Sequence, residues 1–288
     1  MHALVTGSAG LLGRHFARRL QIAGYEVVGI DPAHEWNSSW HGDCRSLFHS
    51  VTVPFDLVVH CAATIPAADK RLANGLSVAT DFELDAALFQ WALRAKPKKI
   101  VYLSSTAAYP VHLDIPASEN MIDLDDLRQP DRIYGLTKLV GEVQAREALK
   151  AGLDVLVVRP QSGYGADQSL NYPFPSFIER AKSRQNPFEI WGSGRQSRDF
   201  VHVDDIVSAV MAFLAADFQG PVNIGTGRNT SLLELAEMVC EQAGYSPEFK
   251  TLSDKPECAR YHCADTTLMN KHYTARVSLE QGIAEALA

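Results

Sequence analysis

The N-terminal segment combines an apolar strand with a glycine-rich turn that leads into a helix. Residues 3–6 are suited to a buried strand, and glycines follow at positions 7, 10 and 13. Gly7 allows a sharp turn out of the strand, Gly10 lets a phosphate approach the backbone because it has no Cβ, and Gly13 lets the helix pack closely on the sheet. The free N–H groups at the start of a helix bind phosphate. The segment therefore predicts a β-α-β unit that binds a dinucleotide.

The second predicted strand, residues 26–30, ends at an acidic residue, Asp31. A carboxylate at this point can accept hydrogen bonds from the ribose hydroxyls of adenosine. It would also repel a 2′-phosphate, so the pattern favours NAD over NADP. Asp31 is equally suited to begin the turn at Pro32, an interpretation that leaves the rest of the pattern unchanged.

Composition limits the class of protein. The chain has 288 residues, of which 46% are hydrophobic and 21% charged, as is ordinary for a globular protein. The net charge of −7 argues against a general binder of nucleic acid or of membrane surfaces. The first predicted strand begins at residue 2 or 3, which leaves no room for a signal peptide, and no 18-residue apolar run is present. The 5 cysteines show no disulfide spacing. We therefore expect a cytoplasmic protein with reduced thiols. Cys258, His262 and Cys263 lack convincing metal-ligand spacing, so we expect no metal site.

Strand and helix patterns alternate through the first 160 residues. Further strands are predicted at 55–60, 99–103 and 155–158, and helices at 81–95 and 134–150. Such alternation indicates an α/β fold, a Rossmann-like doubly wound parallel sheet that binds ligands at the carboxyl ends of its strands. Glycine, proline, asparagine and serine concentrate between 162 and 198. We therefore predict a dinucleotide-binding domain over residues 1–162 and a smaller substrate-binding lobe over 163–288, with a return to the first domain near 200–225.

A candidate catalytic set follows the strand predicted at 99–103. Ser105 lies just beyond that strand, and Tyr134 and Lys138 are one helical turn apart, so their side chains share a face. A tyrosine is a poor base at its ordinary pKa of about 10, but a neighbouring ammonium stabilises the phenolate. A serine hydroxyl can hold the oxygen of the reacting alcohol. Together these groups suit proton removal from a secondary alcohol while its hydride passes to a nicotinamide. Taken alone, the Tyr-x-x-x-Lys pair would more simply be an exposed helix face.

The order of these motifs resembles the extended short-chain dehydrogenase/reductases, within the NAD-dependent epimerase/dehydratase family that acts on nucleotide sugars. The motifs that carry the resemblance are Gly7-x-x-Gly10-x-x-Gly13, His60-Cys61-Ala62-Ala63, Ser105 with Tyr134-Gly135-Leu136-Thr137-Lys138, Arg159-Pro160-Gln161-Ser162-Gly163-Tyr164-Gly165, the segment from Trp191 to Asp205, and Asn223-Ile224-Gly225-Thr226-Gly227. They are spread over nearly the whole chain.

The resemblance implies a role for each of several residues. The catalytic residues would be Ser105, Tyr134 and Lys138. NAD would be bound by Gly7, Gly10, Leu11, Leu12, Gly13, Asp31, Asp43, Ala62, Ala63, Tyr134 and Lys138. The nucleotide-sugar substrate would be bound by Thr106, Ser162, Trp191, Arg198 and Arg260, with Lys255 as a rival to Arg260 for the diphosphate. It also implies a homodimer formed through the helices at 81–95 and 134–150.

Departures from the family pattern narrow the reaction. Asp81 and Ser162 stand at or near positions where the family commonly has asparagine, which puts some substrate or cofactor contacts in doubt. Similar dehydratases and decarboxylases carry acidic residues after the serine, whereas this chain has Thr106 and Ala107, neither of which can act as acid or base. We therefore expect epimerisation of a nucleotide sugar at C4 through a 4-keto intermediate. The alternatives are a one-way NAD(P)-dependent dehydrogenase or reductase and, more remotely, a non-catalytic dinucleotide sensor.

Overall fold

A computed structural model describes residues 1–33, 40–64, 77–110, 113–127, 133–255 and 260–288 of the chain. The strands within these ranges are β1 (His2–Thr6), β2 (Glu26–Asp31), β3 (Trp40–His41), β4 (Leu57–His60), β5 (Ile100–Leu103), β6 (Val155–Pro160), β7 (Ser162–Tyr164), β8 (Phe188–Trp191), β9 (Ser197–Arg198), β10 (Phe200–His202), β11 (Gly220–Ile224), β12 (Thr230–Ser231), β13 (Phe249–Leu252) and β14 (Tyr261–His262). The α-helices are α1 (Leu11–Ile22), α2 (Cys44–Ser50), α3 (Ser77–Ala95), α4 (Ile133–Lys150), α5 (Pro173–Lys182), α6 (Val203–Ala215), α7 (Leu232–Gln242) and α8 (Leu279–Leu287).

Seven strands form a parallel central sheet in the order β11-β6-β5-β4-β1-β2-β3. The inner strands β4, β5 and β6 are buried along their whole length, as expected for continuous apolar runs covered by helices on both faces. The predicted Rossmann-like doubly wound sheet is confirmed. Its carboxyl edge gathers the residues that follow β1, β4, β5 and β6.

The two faces of the sheet have separate apolar cores. On one face, Phe16 and Leu20 of α1 pack with Ile206, Val210 and Phe213 of α6. On the other face, side chains of α2, α3 and α4 surround the buried Trp91, whose indole N–H donates to the carbonyl of Val51 at 2.7 Å. Ala145 and Ala148 of α4 belong to this core, so the helix that carries Tyr134 and Lys138 packs on this face of the sheet.

A third core lies among α5, α7, α8 and β8. Phe174, Phe177, Phe188, Leu235 and Ile283 are buried in it. Ser231 caps α7, and Ser278 forms a reciprocal capping box with Gln281 at the start of α8. The edge strand β11 belongs to the central sheet, although it lies beyond residue 162 in the chain. The division into two domains stays a prediction.

Candidate active site

The glycine turn between β1 and α1 is closely packed at two of its three glycines. Gly7 has a φ of +66°, and a Cβ there would lie 2.7 Å from the backbone nitrogen of Ala62. A Cβ at Gly13 would overlap the carbonyl oxygen of Gly7. Gly10 is exposed and caps α1, and the first turn of that helix carries no acidic residue. The turn therefore presents the amides of Leu11 and Leu12, which have no carbonyl partner within the helix, in a cradle that suits a pyrophosphate.

Asp31 is part of the same turn. Its Oδ2 accepts a hydrogen bond from Ala9 N at 3.0 Å, and its Oδ1 accepts one from Ala33 N at 2.8 Å. A carboxylate has about four acceptor positions, so further hydrogen bonds from ribose hydroxyls fit the site. The turn and Asp31 together fit the adenosine diphosphate half of a dinucleotide.

The other predicted cofactor residues occupy two places along this edge. Ala62 packs on Gly7, its N–H donates to Thr6 Oγ1 at 3.3 Å, and Ala63 follows it. Asp43 caps α2, and its Oδ2 accepts from Arg45 Nε at 2.8 Å. The hydrogen bond from Arg45 lowers the pKa of Asp43, so its carboxylate is engaged by a neighbouring side chain.

Ser105 follows the carboxyl end of β5, and Tyr134 and Lys138 lie on α4, which packs against the turn directly after Ser105. Ser105 Oγ accepts from Ala107 N at 3.1 Å, so its own hydrogen is available for a second bond. The 3-10 turn Thr106–Ala108 that follows packs against α4. On α4, Lys138 Nζ lies 6.0 Å from the centre of the Tyr134 ring.

Lys138 is buried among groups that favour its charged form. The side chain of Lys138 is 3% exposed, and its Nζ lies 5.4 Å from the ring centre of Tyr102. Burial by itself lowers the pKa of Lys138, but the negative charges of Asp85, Tyr134, Asp81 and Cys61 together outweigh it, so the pKa stands above its ordinary value. Asp85 Oδ2 accepts from the Tyr102 hydroxyl at 2.6 Å, and Oδ1 lies 3.4 Å from His60 Nε2.

Asp81 is a second buried acid on the same helix as Asp85. Its Oδ1 accepts from Thr64 N at 2.5 Å, while its Oδ2 has no hydrogen-bond partner among the described residues. Burial raises the pKa of Asp81. Asp81 and Asp85 are thus two buried carboxyl groups that both raise the pKa of Lys138. The sequence did not indicate this feature.

Three of the predicted substrate residues lie on short strands: Ser162 on β7, Trp191 on β8 and Arg198 on β9. Ser162 begins β7, and its N–H donates to the carbonyl of Asp199 at 2.9 Å. Arg198 on β9 is paired with His262 of β14, and the N–H of Ser197 donates to the carbonyl of Arg260 at 3.0 Å. The two predicted arginines therefore lie on neighbouring chain segments.

Two contacts connect these strands to the rest of the site. His262 and Thr106 line the same small cleft, which joins the turn after Ser105 to β14. Trp191 is the last residue of β8, and Lys255 Nζ lies 5.7 Å from the centre of its ring. Lys255 is thereby associated with the aromatic ring. Cys258 lies outside the described residues.

Sequence reasoning missed two further groups near the site. Glu142 is buried beside Ser104 and Arg159, and it stands four residues after Lys138 on α4. Arg14 of α1 donates to Ala9 O at 3.1 Å and, through Nε, to Asp167 Oδ2 at 2.6 Å, so it ties the glycine turn to the segment that follows β7. The four-residue spacing was a signal for Glu142, since it places the carboxylate on the face of Lys138.

Comparison with known families identifies this arrangement. The sequence model described as "NAD dependent epimerase/dehydratase family" matches residues 3–225, which include the glycine turn, Ser105, Tyr134 and Lys138. The chain belongs to this family. Membership makes NAD the cofactor, which agrees with the fit of the glycine turn and Asp31.

Relatives in the family carry out different reactions. A dTDP-4-dehydro-6-deoxy-D-allose reductase from a Streptomyces species is 28% identical, over 93% of this chain and 89% of its own length. The UDP-glucose 4-epimerase of Thermotoga maritima, solved with UDP-glucose, is 26% identical with a TM-score of 0.85, and the match covers 100% of this chain and 97% of that one. MoeE5, solved with UDP-glucose and NAD, is 30% identical with a TM-score of 0.85 over 100% of this chain and 97% of its own. The family thus defines an NAD-dependent sugar-nucleotide enzyme and leaves the reaction to be argued from the site.

Proposed function

We propose that this protein epimerises a nucleotide sugar at C4 and keeps NAD bound throughout the cycle. The observation that carries the proposal is the position of Lys138 beside Tyr134, with Ser105 at the neighbouring strand end. A buried ammonium stabilises a phenolate, and the phenolate is the base that an alcohol oxidation needs.

The chain's own residues carry the proton through the cycle. The Ser105 hydroxyl donates a hydrogen bond to the oxygen on C4 of the sugar and orients it. The Tyr134 oxygen takes the proton of the sugar's 4-hydroxyl. NAD, when bound, supplies the hydride acceptor and donor. After the 4-keto sugar turns over in the site, Tyr134 returns the proton to the same oxygen as hydride returns to the opposite face of C4. No net oxidation results.

The turn after Ser105 argues against water elimination. Elimination needs an acid and a base in addition to the tyrosine, and the first two residues of this turn are Thr106 and Ala107. Neither side chain exchanges protons near neutral pH. The site is thus equipped to move one proton and one hydride, which is sufficient for epimerisation.

We propose that the short strands around β6 bind the nucleotide. Arg198 and Arg260 are suited to the diphosphate, because a guanidinium group offers forked hydrogen bonds. Trp191 is suited to stack on the base. The contact of Lys255 with the Trp191 ring makes Arg260 the better candidate for the second phosphate contact. Ser162 and Thr106 are proposed to contact the sugar.

A one-way reductase is the second candidate, favoured by the Streptomyces relative whose name describes a ketosugar reductase. Asp31 favours the epimerase, since a one-way reductase commonly draws on NADPH and a carboxylate at this position repels a 2′-phosphate. The absorbance of NADH at the end of turnover separates the two. A reductase consumes one NADH for each sugar that it reduces, whereas an epimerase leaves the total amount of NADH unchanged.

The experiment for the proposal uses the purified protein without added cofactor. We expect it to retain NAD or NADH and to interconvert at least one pair of C4-epimeric nucleotide hexoses, detected by NMR of their anomeric protons. Protein that neither retains the cofactor nor interconverts any UDP-, dTDP- or GDP-hexose pair contradicts the proposal. Retention without turnover would instead support a non-catalytic dinucleotide sensor.

We also propose a cytoplasmic homodimer. Among the described residues, no helix is both long and apolar enough to cross a lipid bilayer. Leu93 on α3 is 50% exposed and Ile133 at the start of α4 is 51% exposed, which leaves apolar surface on both helices. Sedimentation velocity tests the dimer, and a purely monomeric species at micromolar concentration contradicts it.

A further inference from the structure

The carboxylate of Glu142 on α4 binds the ends of two strands at once. Ser104 Oγ, at the end of β5, donates to Glu142 Oε1. Arg159, near the end of β6, donates through Nε to Oε1 at 2.9 Å and through Nη2 to Oε2 at 2.6 Å. The side chains of Glu142 and Arg159 are each 2% exposed.

Each of these three elements carries part of the candidate site. Glu142 lies one turn after Lys138 and two turns after Tyr134, so it belongs to the same face of α4. Ser104 directly precedes Ser105, and Arg159 lies shortly before Ser162. A single carboxylate therefore links the base, the serine donor and a proposed sugar contact.

The other side of the Arg159 guanidinium holds the segment that follows Ser105. Its Nη1 donates to the Tyr109 hydroxyl at 3.0 Å and to the carbonyl of Glu119 at 2.8 Å. The Tyr109 hydroxyl in turn donates to Asn223 Oδ1 at 2.8 Å, at the end of β11. Burial by itself lowers the pKa of Arg159, but the charges and hydrogen bonds of Glu142 and Tyr109 together outweigh it, so the pKa of Arg159 stands above its ordinary value.

Stability alone gives a poor account of such a buried ion pair. Removing two charges from water is expensive, and replacing both members with apolar residues of similar volume is often neutral or stabilising. An apolar pair would not, however, fix Ser104 and Tyr109 by directed hydrogen bonds. The pair is therefore best understood through the geometry that it imposes.

We infer that Glu142 and Arg159 are positioning residues that hold Ser105, Tyr134 and the turn after Ser105 in one catalytic arrangement. The inference rests on the proposed function for its kinetic consequence, while its structural consequence can be measured separately. Neither residue touches the reacting atoms. Their effect is on kcat, because a displacement of about 1 Å at the reacting groups costs about a hundredfold in rate.

The kinetic test compares three variants. Glu142→Gln keeps the shape but removes the charge, and we expect kcat to fall about a hundredfold with little change in KM. Glu142→Met combined with Arg159→Met removes both charges. We expect the free energy of unfolding of this double variant to be at least that of the wild type, while its kcat stays as low as that of Glu142→Gln. Asp154→Asn is the matched control, because Asp154 Oδ2 accepts a hydrogen bond from the buried Lys99 Nζ at 2.9 Å, and this contact joins the opposite ends of β5 and β6. It should lose stability and keep its kcat.

A spectroscopic test does not depend on turnover. With 3-fluorotyrosine placed only at position 134, we expect one narrow ¹⁹F resonance in the wild type and in Asp154→Asn. The Glu142→Gln and double variants should show a broadened or split resonance. A folded double variant with one narrow resonance overturns the inference, as does one with wild-type kcat. If the resonances follow this pattern in a protein that turns over no nucleotide sugar, the result would support the positioning role and contradict the proposed function.

Discussion

The ammonium nitrogen of Lys138 lies 6.0 Å from the centre of the Tyr134 ring, one helical turn further along α4. The ammonium is buried, which lowers its pKa, but the surrounding negative groups, of which Asp85 acts most strongly, together raise the pKa above its ordinary value. An alcohol oxidation needs a base that can accept a proton and later return it. This pair is suited to supply such a base.

Tyr134→Phe removes the oxygen that exchanges the proton and leaves the ring in place. We expect kcat to fall about a thousandfold, within the range for loss of a general base, while the protein still binds NAD. Steady-state kinetics and NAD titration measure both quantities. Tyr25→Phe, at the opposite end of the sheet, is the control and should keep its kcat. A Tyr134→Phe enzyme with normal turnover would undo the catalytic assignment.

Two glycine substitutions separate phosphate binding from packing. Gly10 has extended backbone angles that alanine adopts, and its added Cβ would lie 3.2 Å from the carbonyl oxygen of Gly7. We expect Gly10→Ala to lower the free energy of unfolding by only about 0.5–1 kcal/mol. NAD affinity should nevertheless fall about tenfold or more, which corresponds to at least about 1.4 kcal/mol.

Gly13→Ala should behave in the opposite way. Its Cβ would overlap the carbonyl of Gly7, so the loss appears in folding, at about 1–3 kcal/mol for an overpacked site. Urea denaturation and calorimetric NAD titration give the two quantities for each variant. Equal effects of both substitutions on stability, with no selective loss of NAD binding at Gly10, would contradict this account of the turn.

Asp31→Asn tests the choice of cofactor. The amide keeps one acceptor oxygen, but it loses the charge and cannot accept from both Ala9 N and Ala33 N. We expect NAD affinity to fall about tenfold, since hydrogen bonds to charged groups are worth about 1.5–3 kcal/mol. The preference for NAD over NADP should shrink as well, because the repulsion of the 2′-phosphate is gone. Competitive titrations measure the ratio, with Asp56→Asn at the other end of the sheet as control.

Asp85→Asn is expected to move the alkaline limb of the pH–rate profile to lower pH. In the wild type the pKa of Lys138 is raised, so the ammonium is present throughout the neutral range and is lost only as pH rises through that raised value. The variant removes the charge of Asp85 and leaves the burial that lowers the pKa. Other charged or titratable groups that act on Lys138 are Tyr134, Asp81 and Cys61. Glu83→Gln, an exposed change on the same helix, should leave the profile unchanged, and an unmoved limb in Asp85→Asn would contradict the electrostatic account.

The sequence predicted the parallel sheet, which is confirmed, and the placement of Tyr134 and Lys138 on one helix, because both depend on local patterns. The catalytic roles of Ser105, Tyr134 and Lys138 stay predictions. Alternating strands and helices determine the fold class, and the four-residue spacing of Tyr134 and Lys138 determines a shared helix face. The same spacing leads to Glu142, but its partner Arg159 lies on a strand whose place in the sheet depends on the strand order. Asp85 was missed for a related reason: it lies within an apolar helix pattern, and its neighbours Tyr102 and His60 come from two other strands. The assignments of Arg198, Arg260 and Trp191 to the substrate stay predictions.

The most direct test of epimerisation follows a deuterium label at C4. The protein is incubated, without added cofactor, with UDP-, dTDP- and GDP-hexoses that carry deuterium on C4, and the products are analysed by NMR and mass spectrometry. We predict that one such substrate reaches an equilibrium of its two C4 epimers, that the deuterium stays on C4 in both, and that no NADH accumulates. Stoichiometric appearance of reduced cofactor, transfer of the label out of the sugar, or the absence of any second epimer would contradict the account.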